Sequence, residues 1–213
     1  MEANSAPRVR TMDDWMPKVD IPEGHSGNWR IERFTVSESE ARFDALRSGY
    51  RSVRQGTYTR LMCGDETVMS DTHAERRDHL GVVQDAQGDV LVTGLGLGMV
   101  VVALLQNPEV RTITVIERSK DVISLVEPTL RSRYGADRLR IVCADAFTWK
   151  PGKDDSWDCA WHDVWTDLCG DNTKGMGQLR RHYGRRVRAW QRCWGEAECK
   201  RVNRKDRSAW WRY

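Results

Sequence analysis

Short apolar segments alternate with stretches of helical periodicity from residue 89 onward. The segments "VLVTG", "TITVIE", "LRIVCAD" and "WDCAWHD" have the length and β-branched content of buried strands. The stretches "MVVVALLQN" and "SKDVISLVEPTL" between them fit helices, although Pro128 should kink or shorten the second one. A helix over "NTKGMGQLRRHYG" and a fifth strand over "RRVRAW" follow. Because strands alternate with helices, residues 89–213 are predicted to form an α/β domain with a mainly parallel sheet.

The pattern before residue 89 is different. Residues 1–28 contain several prolines and glycines with little periodicity, so we expect an irregular lead. Residues 29–88 begin with "WRIERFTV", which alternates like a half-buried strand, and Ser37 and Glu40 form a capping-box pattern before a short helix. The segments "TYTRLMC" and "ETVMS" flank Gly64 and Asp65, a pair that favours a type II′ turn. We therefore predict an N-terminal extension with a strand, a helix and a β-hairpin.

Composition limits the class of protein. Hydrophobic residues make up 39% of the chain and charged residues 31%, and no apolar run approaches the roughly 20 residues that cross a bilayer. The first residues lack the apolar core of a secretory signal, so we expect a soluble, cytoplasmic protein that does not bind membranes. The six cysteines and five histidines lack the spacing of metal ligands. We therefore expect reduced thiols and no metal site.

Positive charge is concentrated at the C-terminus. Residues 171–213 contain 13 Lys or Arg and 4 Asp or Glu, a net charge of +9, which leaves −6 for residues 1–170. The last part of this basic segment interleaves Arg and Lys with Trp and Tyr, a composition suited to phosphate contacts and base stacking. Nucleic acid is therefore one predicted partner. The alternative is that the acidic body attracts the segment, within one chain or across a homodimer.

The sequence "DVLVTGLGLGMVV" places Gly94, Gly96 and Gly98 between the first strand and the first helix of the α/β domain. In open α/β sheets this turn approaches the ligand closely. The dinucleotide fingerprint G-x-G-x-x-G is not met, because Met99 stands where the third glycine belongs, and the Lys-Ser/Thr of a P-loop does not follow. The glycine loop therefore disfavours a nicotinamide dinucleotide and gives no support to a P-loop. A tight turn also needs glycine for steric reasons alone.

Three carboxylates follow at the ends of successive strands. Glu117 ends the second strand, 19 residues past Gly98, where a carboxylate can accept hydrogen bonds from both ribose hydroxyls. Asp145 ends the third strand, where it can accept a bond from the exocyclic amine of adenine while the neighbouring backbone amide of Ala146 reads the ring. Asp163 ends the fourth strand. Taken singly, each residue could cap a turn or be solvated; taken together, they predict an adenosine-shaped crevice at one edge of the sheet.

The segments "VTGLGLG", "VIE", "CADAF" and "WDCAWHDVW" resemble the successive motifs of class I S-adenosylmethionine (SAM)-dependent methyltransferases, over about residues 57–190. Within that superfamily the chain looks most like the spermidine-synthase-like branch. Val92 is apolar where many methyltransferases carry an acid, and "CGDETVMSD" is similar to the hairpin that this branch places over its active site. The chain departs from the branch at Leu97, where an acid is usual, and in the wider spacing of Asp163 and Asp167.

The resemblance implies a Rossmann-like fold with sheet order 3-2-1-4-5, a hairpin lid and SAM as the cofactor. It implies that the glycine loop holds the methionine and ribose portions, Glu117 the ribose, and Asp145 with Ala146 the adenine. Asp163 would orient or deprotonate an acceptor, and methyl transfer is the expected reaction. Two alternatives stay open: aminopropyl transfer from decarboxylated SAM, and a non-catalytic module that binds nucleic acid or protein.

Asp71 has two interpretations. It stands at the head of a helix predicted over residues 72–83, where it could face the substrate as a second catalytic carboxylate. It could instead cap that helix, as could Thr72, whose spacing to Glu75 is that of a capping box.

The segment after the fourth strand is expected to shape the acceptor pocket. Trp165 could stack on a flat substrate or pack in the core, and Asp167 follows in the same segment. His162 directly precedes Asp163 in the strand, so its side chain should leave the opposite face of the sheet. We therefore expect His162 to be a packed core residue and Trp165 and Asp167 to be candidates for substrate binding.

Overall fold

The computed structural model of the protein describes residues 10–134 and 137–210. Residues 1–9 of the predicted lead and residues 211–213 of the basic segment lie outside this described part. The described residues form two sheets, an antiparallel one near the N-terminus and a parallel one that follows it.

The first sheet contains β1 (Gly24–Ser26), β2 (Trp29–Val36), β3 (Gly56–Cys63) and β4 (Glu66–Ser70). The second contains β5 (Gly88–Thr93), β6 (Val110–Glu117), β7 (Leu139–Cys143), β8 (Trp157–His162) and β9 (Val187–Cys193). The helices are α1 (Met12–Trp15), α2 (Glu38–Ser48), α3 (His73–Asp85), α4 (Met99–Gln106), α5 (Lys120–Tyr134), α6 (Asn172–Tyr183) and α7 (Glu196–Trp210). No helix within residues 10–134 or 137–210 has both the length and the apolar character needed to cross a lipid bilayer.

The second sheet is parallel throughout, with the strand order β7-β6-β5-β8-β9. Counted from its first strand, this order is 3-2-1-4-5. The central strand is buried from Val90 to Thr93, because both faces of a parallel sheet are covered. The predicted α/β fold with a mainly parallel sheet is therefore confirmed. It brings the carboxyl ends of β5, β6, β7 and β8 to one edge, where a ligand site can form.

The environments of helices α4 and α5 explain two unusual features of their sequences. Helix α4 is buried from Met99 to Leu105, which is why its sequence lacks a polar face. Helix α5 includes Pro128 and still runs to Tyr134, so the proline does not shorten it, and the alternative of a kink stays a prediction. Val126 and Leu130 on either side of the proline are fully buried. Their packing outweighs the backbone hydrogen bond that a proline removes.

The N-terminal extension is a four-stranded antiparallel sheet in the order β1-β2-β3-β4. The predicted strand corresponds to β2 and the predicted hairpin to β3 and β4, and β2 pairs with β3 along its length. Gly64 has a φ of +58°. Asp65 has a negative φ, because all described residues with a positive φ are glycines. This is the sign pattern of a type II′ turn. Strand β1 is too short, at three residues, to show a periodic pattern.

The described part of the lead, from residue 10 onward, packs on the core of the protein. Met16, Val19 and Ile21 are buried in the main core, and the guanidinium of Arg76 donates to the carbonyl oxygen of Met16 at 2.7 Å. The stretch from Pro17 to Glu23 forms no helix or strand, as predicted for an irregular lead, but it packs against the core. A segment without regular periodicity can still fill a groove of the core, and sequence periodicity does not reveal that.

The two predicted capping boxes have different outcomes. At α2, Oγ of Ser37 accepts from the N–H of Glu40 at 3.3 Å, and Glu40 accepts from the N–H of Ser37 at 2.8 Å. At α3, Thr72 precedes the helix but makes no capping bond through its side chain. Glu75 instead accepts from the N–H and the hydroxyl of Ser70, both at 2.8 Å. The second capping box is therefore wrong, because the end of β4 supplies Glu75 with donors.

Candidate functional site

A cavity of about 430 Å³ lies between the carboxyl edge of the parallel sheet and the N-terminal sheet. Its lining includes the glycine loop, the residues that end or follow β6, β7 and β8, and parts of β4 and α3. The structure brings together in this lining most of the predicted site residues: Gly94, Gly96, Glu117, Asp145, Ala146, Asp163, Trp165 and Asp167. Gly98 and Asp71 are not part of it.

The glycine loop lies very close to two neighbouring segments. Gly94 has a φ of +93°, and a Cβ at this position would lie 1.8 Å from the carbonyl oxygen of Asp163. Gly96 has a φ of +50°, and a Cβ there would lie 2.1 Å from Sδ of Met69. Both positions require glycine because of backbone conformation and space. The loop is therefore held between β8 and the β4 strand of the N-terminal sheet.

Strand β4 also contacts the loop through a hydrogen bond. Sδ of Met69 accepts from the N–H of Leu97 at 3.0 Å, and Leu97 is fully buried. Gly98 precedes α4 with a φ of +74° and packs against Val126 and Leu130 of α5. Gly98 therefore serves the turn into α4 and its packing on α5, and it does not face the cavity.

Glu117, the last residue of β6, fastens the glycine loop. Its side chain is buried, with Oε2 accepting from the N–H of Leu95 at 2.9 Å and Oε1 accepting from the N–H of Ser119 at 2.8 Å. A carboxylate oxygen can accept more than one hydrogen bond. Glu117 is therefore placed to hold the loop and to accept further bonds from a diol in the cavity.

The turn after β7 offers a carboxylate and an aromatic ring to the same cavity. Asp145 is exposed, and its Oδ1 accepts from the N–H of Phe147 at 2.8 Å. Ala146 is buried, and its carbonyl oxygen accepts from the hydroxyl of Tyr183 at 2.7 Å. The ring of Phe147 lines the cavity beside Asp145. This end of the cavity suits a flat ligand that carries a hydrogen-bond donor.

Asp163 is the most strongly perturbed carboxyl of the cavity. Its side chain is 20% exposed. Burial, together with the neighbouring carboxyls of Glu75 and Asp78, raises its pKa to about 8, and the indole of Trp161 partly offsets that rise. A carboxyl with a pKa near the working pH can take up a proton and release it again, as a general base must.

His79 of α3 lies beside Asp163. Its Nε2 is 3.7 Å from Oδ2 of Asp163, and its ring stands edge-on to Trp161 with centroids 5.7 Å apart. Burial lowers the pKa of His79 to about 4, so the imidazole is neutral at pH 7. Nδ1 of His79 and the indole N–H of Trp161 are buried without a hydrogen-bond partner among the described residues.

The sequence analysis does not single out His79 as a site residue. Glu75, Asp78 and His79 have the spacing i, i+3, i+4, which places them on one face of α3. Burial raises the pKa of Glu75, and Asp78 pairs with Arg51 at 2.6 Å. This polar face of α3, directly after the hairpin, is the feature of the sequence that could have indicated a role for His79 in the site. The sequence alone does not show where α3 packs, and so it does not show which residues this face contacts.

Asp71 does not reach the cavity. It is buried, its Oδ1 accepts from the N–H of Thr59 at 2.7 Å, and its own N–H donates to the carbonyl oxygen of Thr59 at 2.9 Å. Both bonds fasten the end of β4 to β3. The interpretation of Asp71 as a second catalytic carboxylate is therefore wrong, because its carboxyl satisfies the backbone of the N-terminal sheet.

Trp165 and Asp167 belong to one wall of the cavity. Trp165 is half-buried and lies beside Gly175 of α6, where a Cβ would be 3.5 Å from its ring. Asp167 is exposed, and its carbonyl oxygen accepts from the side-chain amide of Asn172 at 2.7 Å. Helix α6 therefore supports this wall, and the two side chains stay candidates for acceptor binding.

His162 is a packed core residue, as its position in the strand predicts. Its Nδ1 lies 3.1 Å from Oγ1 of Thr93 and its Nε2 lies 3.1 Å from Oε1 of Gln191, while its ring stacks on Tyr183. Burial lowers the pKa of His162 to about 4. Among residues 10–134 and 137–210, no group of His, Cys, Asp and Glu is arranged to hold a metal ion.

Several cations of the basic C-terminal segment pair with carboxylates of the chain itself. Arg188 donates to Asp158 at 2.9 Å and Arg192 donates to Asp85 at 2.6 Å. Arg188 also lies 3.8 Å from Asp89. These pairs favour the interpretation that the acidic body attracts the segment, and a nucleic-acid partner stays a prediction.

The chain is similar over about half of its length to several solved structures. A SAM-dependent methyltransferase from Clostridium acetobutylicum is 17% identical, with a TM-score of 0.36 over 48% of this chain and 41% of that one. The CcbJ methyltransferase from Streptomyces caelestis is 18% identical, with a TM-score of 0.36 over 44% and 38%. The mitomycin 7-O-methyltransferase is 21% identical, with a TM-score of 0.41 over 54% and 34%. The chain thus spans well under two thirds of each of these proteins.

No protein-family model matches the sequence, and no curated protein sequence matches it significantly.

Proposed function

We propose that the protein is a SAM-dependent methyltransferase that acts on an acceptor bound in this cavity. The observation that carries the proposal is that the glycine loop, Glu117 and Asp145 line one cavity at the carboxyl edge of a parallel sheet. Ligands of open α/β sheets bind at that edge. The three features come from the ends of three neighbouring strands, so the fold itself brings them together.

The residues present fit the parts of SAM. Glu117 has two carboxylate oxygens fixed by backbone N–H groups, and each can accept a further bond from a ribose hydroxyl. Asp145 and Phe147 offer an acceptor and an aromatic face for adenine. Gly94 and Gly96 line the cavity and have no side chains of their own, so a ligand can approach their backbone closely. When bound, SAM supplies a methyl group activated by a sulfonium.

The chain's own residues would then position the acceptor and hold its proton. Asp163 lies at the end of β8 in the same cavity, and its pKa of about 8 suits a general base. The tryptophans of the lining, among them Trp161 and Trp165, exclude water from the acceptor. Alignment of the acceptor is the main task that remains for the protein, because the methyl group is already activated.

Aminopropyl transfer, the reaction of the spermidine-synthase-like branch, is the alternative enzyme function. That branch carries an acid in the glycine loop, whereas this chain has Leu97, which is fully buried and whose backbone N–H donates to Sδ of Met69. An apolar residue at this position gives no counter-charge to an amine. We therefore favour methyl transfer over aminopropyl transfer. The link to the spermidine-synthase-like branch rests only on the resemblance of the sequence motifs.

Calorimetry with three compounds tests the proposal: SAM, its demethylated product and decarboxylated SAM. We expect SAM and the demethylated product to bind and decarboxylated SAM to bind more weakly. Mass spectrometry of the purified protein should detect the carried ligand, and a screen of acceptors should release the demethylated product. Preferential binding of decarboxylated SAM would support aminopropyl transfer instead.

Failure of all three compounds to bind would contradict the enzyme proposal. Salt-dependent binding of nucleic acid in that case would favour a non-catalytic module. A truncation that removes residues 195–213 tests the part played by the basic segment in such binding.

A further inference from the structure

The inner end of the cavity contains polar atoms that lack hydrogen-bond partners within residues 10–134 and 137–210. Trp161 is 4% exposed and His79 is 2% exposed. Both residues line the cavity, yet the indole N–H of Trp161 and Nδ1 of His79 have no hydrogen-bond partner among the described residues. A buried polar atom without a partner is costly and calls for an explanation. We call Trp161, His79 and Asp163 the inner polar cluster.

The fold brings the three side chains of this cluster to one place. Trp161 and Asp163 are two residues apart at the end of β8, so they leave the same face of the strand. His79 packs against that face, with its ring 5.7 Å from that of Trp161 and its Nε2 3.7 Å from Oδ2 of Asp163. The indole N–H of Trp161 is near enough to Asp163 to lower the pKa of that carboxyl, yet the two groups do not meet the geometry of a hydrogen bond. The three side chains therefore form one compact polar group beside the cavity.

The members of the cluster differ in what they donate and accept. The indole N–H of Trp161 can only donate, and Asp163 can only accept in the ionised form that a general base requires, which dominates above about pH 8. The neutral ring of His79 has one donor and one acceptor nitrogen. A ligand group that serves both Trp161 and Asp163 must therefore accept one hydrogen bond and donate another.

A hydroxyl group meets this requirement and can still react. Its oxygen has two lone pairs, so one accepts from the Trp161 N–H while the other attacks the methyl carbon, and its O–H donates to Asp163. An ammonium group has no lone pair. A neutral amine has one, which is consumed in the attack and leaves the Trp161 N–H buried without a partner.

We propose that the acceptor is a hydroxyl compound with an apolar ring, whose oxygen binds between Trp161 and Asp163. This inference rests on the proposed methyltransferase function and narrows its substrate class. The cavity walls supply the apolar surroundings that such a ring needs, through Trp29, Leu61, Val68, Trp165, Leu168 and Trp194.

The reaction balances with the residues named. The O–H bond of the acceptor breaks and its proton passes to the carboxylate of Asp163. The oxygen lone pair forms the bond to the methyl carbon, while the bond from that carbon to sulfur breaks and its electron pair stays on sulfur. The products are a methyl ether, the demethylated cofactor and a proton that Asp163 releases to water. A phenol suits this base better than an aliphatic alcohol, because its acidity is closer to that of Asp163.

Matched probes that differ only in the reacting group test this inference on the full chain. The pairs are 2-naphthol with 2-naphthylamine and benzyl alcohol with benzylamine. With the demethylated cofactor bound, two-dimensional ¹⁵N–¹H spectra follow the indole signal of Trp161. That signal is assigned by its loss in Trp161→Phe. Its proximity to the ring protons of His79 gives a second assignment, which is made on the wild-type protein.

We expect the hydroxyl probes to shift the Trp161 indole signal and the amine probes to leave it in place. With SAM, the hydroxyl member of a pair should be methylated in preference to the amine. Trp161→Phe should lower kcat/KM for the hydroxyl probe by about tenfold, the effect of one lost buried hydrogen bond, with SAM affinity unchanged. Trp190→Phe is the matched control, since Trp190 lies outside the cavity lining and stacks with Arg192.

Three results would overturn the inference. They are preferential methylation of the amines, no methylation of any hydroxyl probe while SAM binds, and an unchanged kcat/KM in a folded Trp161→Phe variant. Absence of SAM binding is a separate result, which contradicts the proposed function itself.

Discussion

Nε2 of His79 lies 3.7 Å from Oδ2 of Asp163, which links helix α3 to the end of β8. The pair is not a charged one at neutral pH, because burial lowers the pKa of His79 to about 4 and raises that of Asp163 to about 8. Burial disfavours the charged form of each group. Burial and the neighbouring carboxyls of Glu75 and Asp78 thus keep a proton on Asp163 below about pH 8.

The first prediction concerns Asp163 as the base. Asp163→Asn should lower kcat for any compound that the wild-type protein methylates by about a hundredfold or more, the usual contribution of a general base. In the wild type the rate should rise as pH increases through about 8, because the carboxylate is the active form. SAM affinity, measured by calorimetry, should be unchanged in the variant. Equal rates in the variant and the wild type would exclude Asp163 as the base.

The second prediction concerns stability and the same carboxyl. Its pKa is raised on folding, so the folded protein holds a proton that the unfolded chain has released at neutral pH, and stability falls as pH rises. Between pH 6.5 and 8 the free energy of unfolding should fall by about 2 kcal/mol more in the wild type than in Asp163→Asn. Urea denaturation at several pH values measures this, with the exposed Asp154→Asn as control. Parallel pH curves for the wild type and Asp163→Asn would refute it.

The third prediction concerns His162, whose effect on stability has the opposite dependence on pH. Burial lowers its pKa to about 4, so the unfolded chain takes up a proton between pH 6.5 and 4 that the folded protein does not hold, and stability is lost as pH falls. Replacing it by Asn should remove about 3 kcal/mol of that acid-induced loss. The measurement is the difference in unfolding free energy between pH 6.5 and 4. His25→Asn, at an exposed position, should leave the difference unchanged.

The parts of the site that depend on strand order could be predicted from sequence. Gly94, Glu117 and Asp145 end or follow parallel strands, and the carboxyl ends of such strands share one edge. The position of His79 could not be predicted, because it depends on how α3 docks on the face of β8. Asp71 was misassigned for the same reason: its place in the hairpin does not tell which way the carboxyl turns. The burial of the lead likewise follows from tertiary packing without a periodic pattern.

Two glycine-to-alanine substitutions distinguish a glycine that its backbone conformation requires from one that only lowers helix propensity. Gly94→Ala should prevent stable folding, because a Cβ would lie 1.8 Å from a backbone carbonyl oxygen that cannot move without displacing β8. Gly81→Ala lies within α3, where a Cβ meets nothing within 4 Å. It should stabilise the protein by about 0.5–1 kcal/mol, the difference in helix propensity. Thermal and urea denaturation check both, and a stable Gly94→Ala variant would contradict the close approach of the loop to β8.

Glu117 provides the last prediction, because it joins loop geometry to ligand binding. In Glu117→Gln one oxygen becomes an amide group that cannot accept, so one of the two N–H groups now held, that of Leu95 or that of Ser119, loses its acceptor. The free energy of unfolding should fall by about 1–3 kcal/mol, and the affinity for the demethylated cofactor should fall by about tenfold or more. Calorimetry and urea denaturation measure the two effects, with the exposed Glu109→Gln as control. A loss of stability without a loss of affinity would mean that Glu117 holds the loop but that the ribose binds elsewhere, since the variant would then have removed only the bond within the chain.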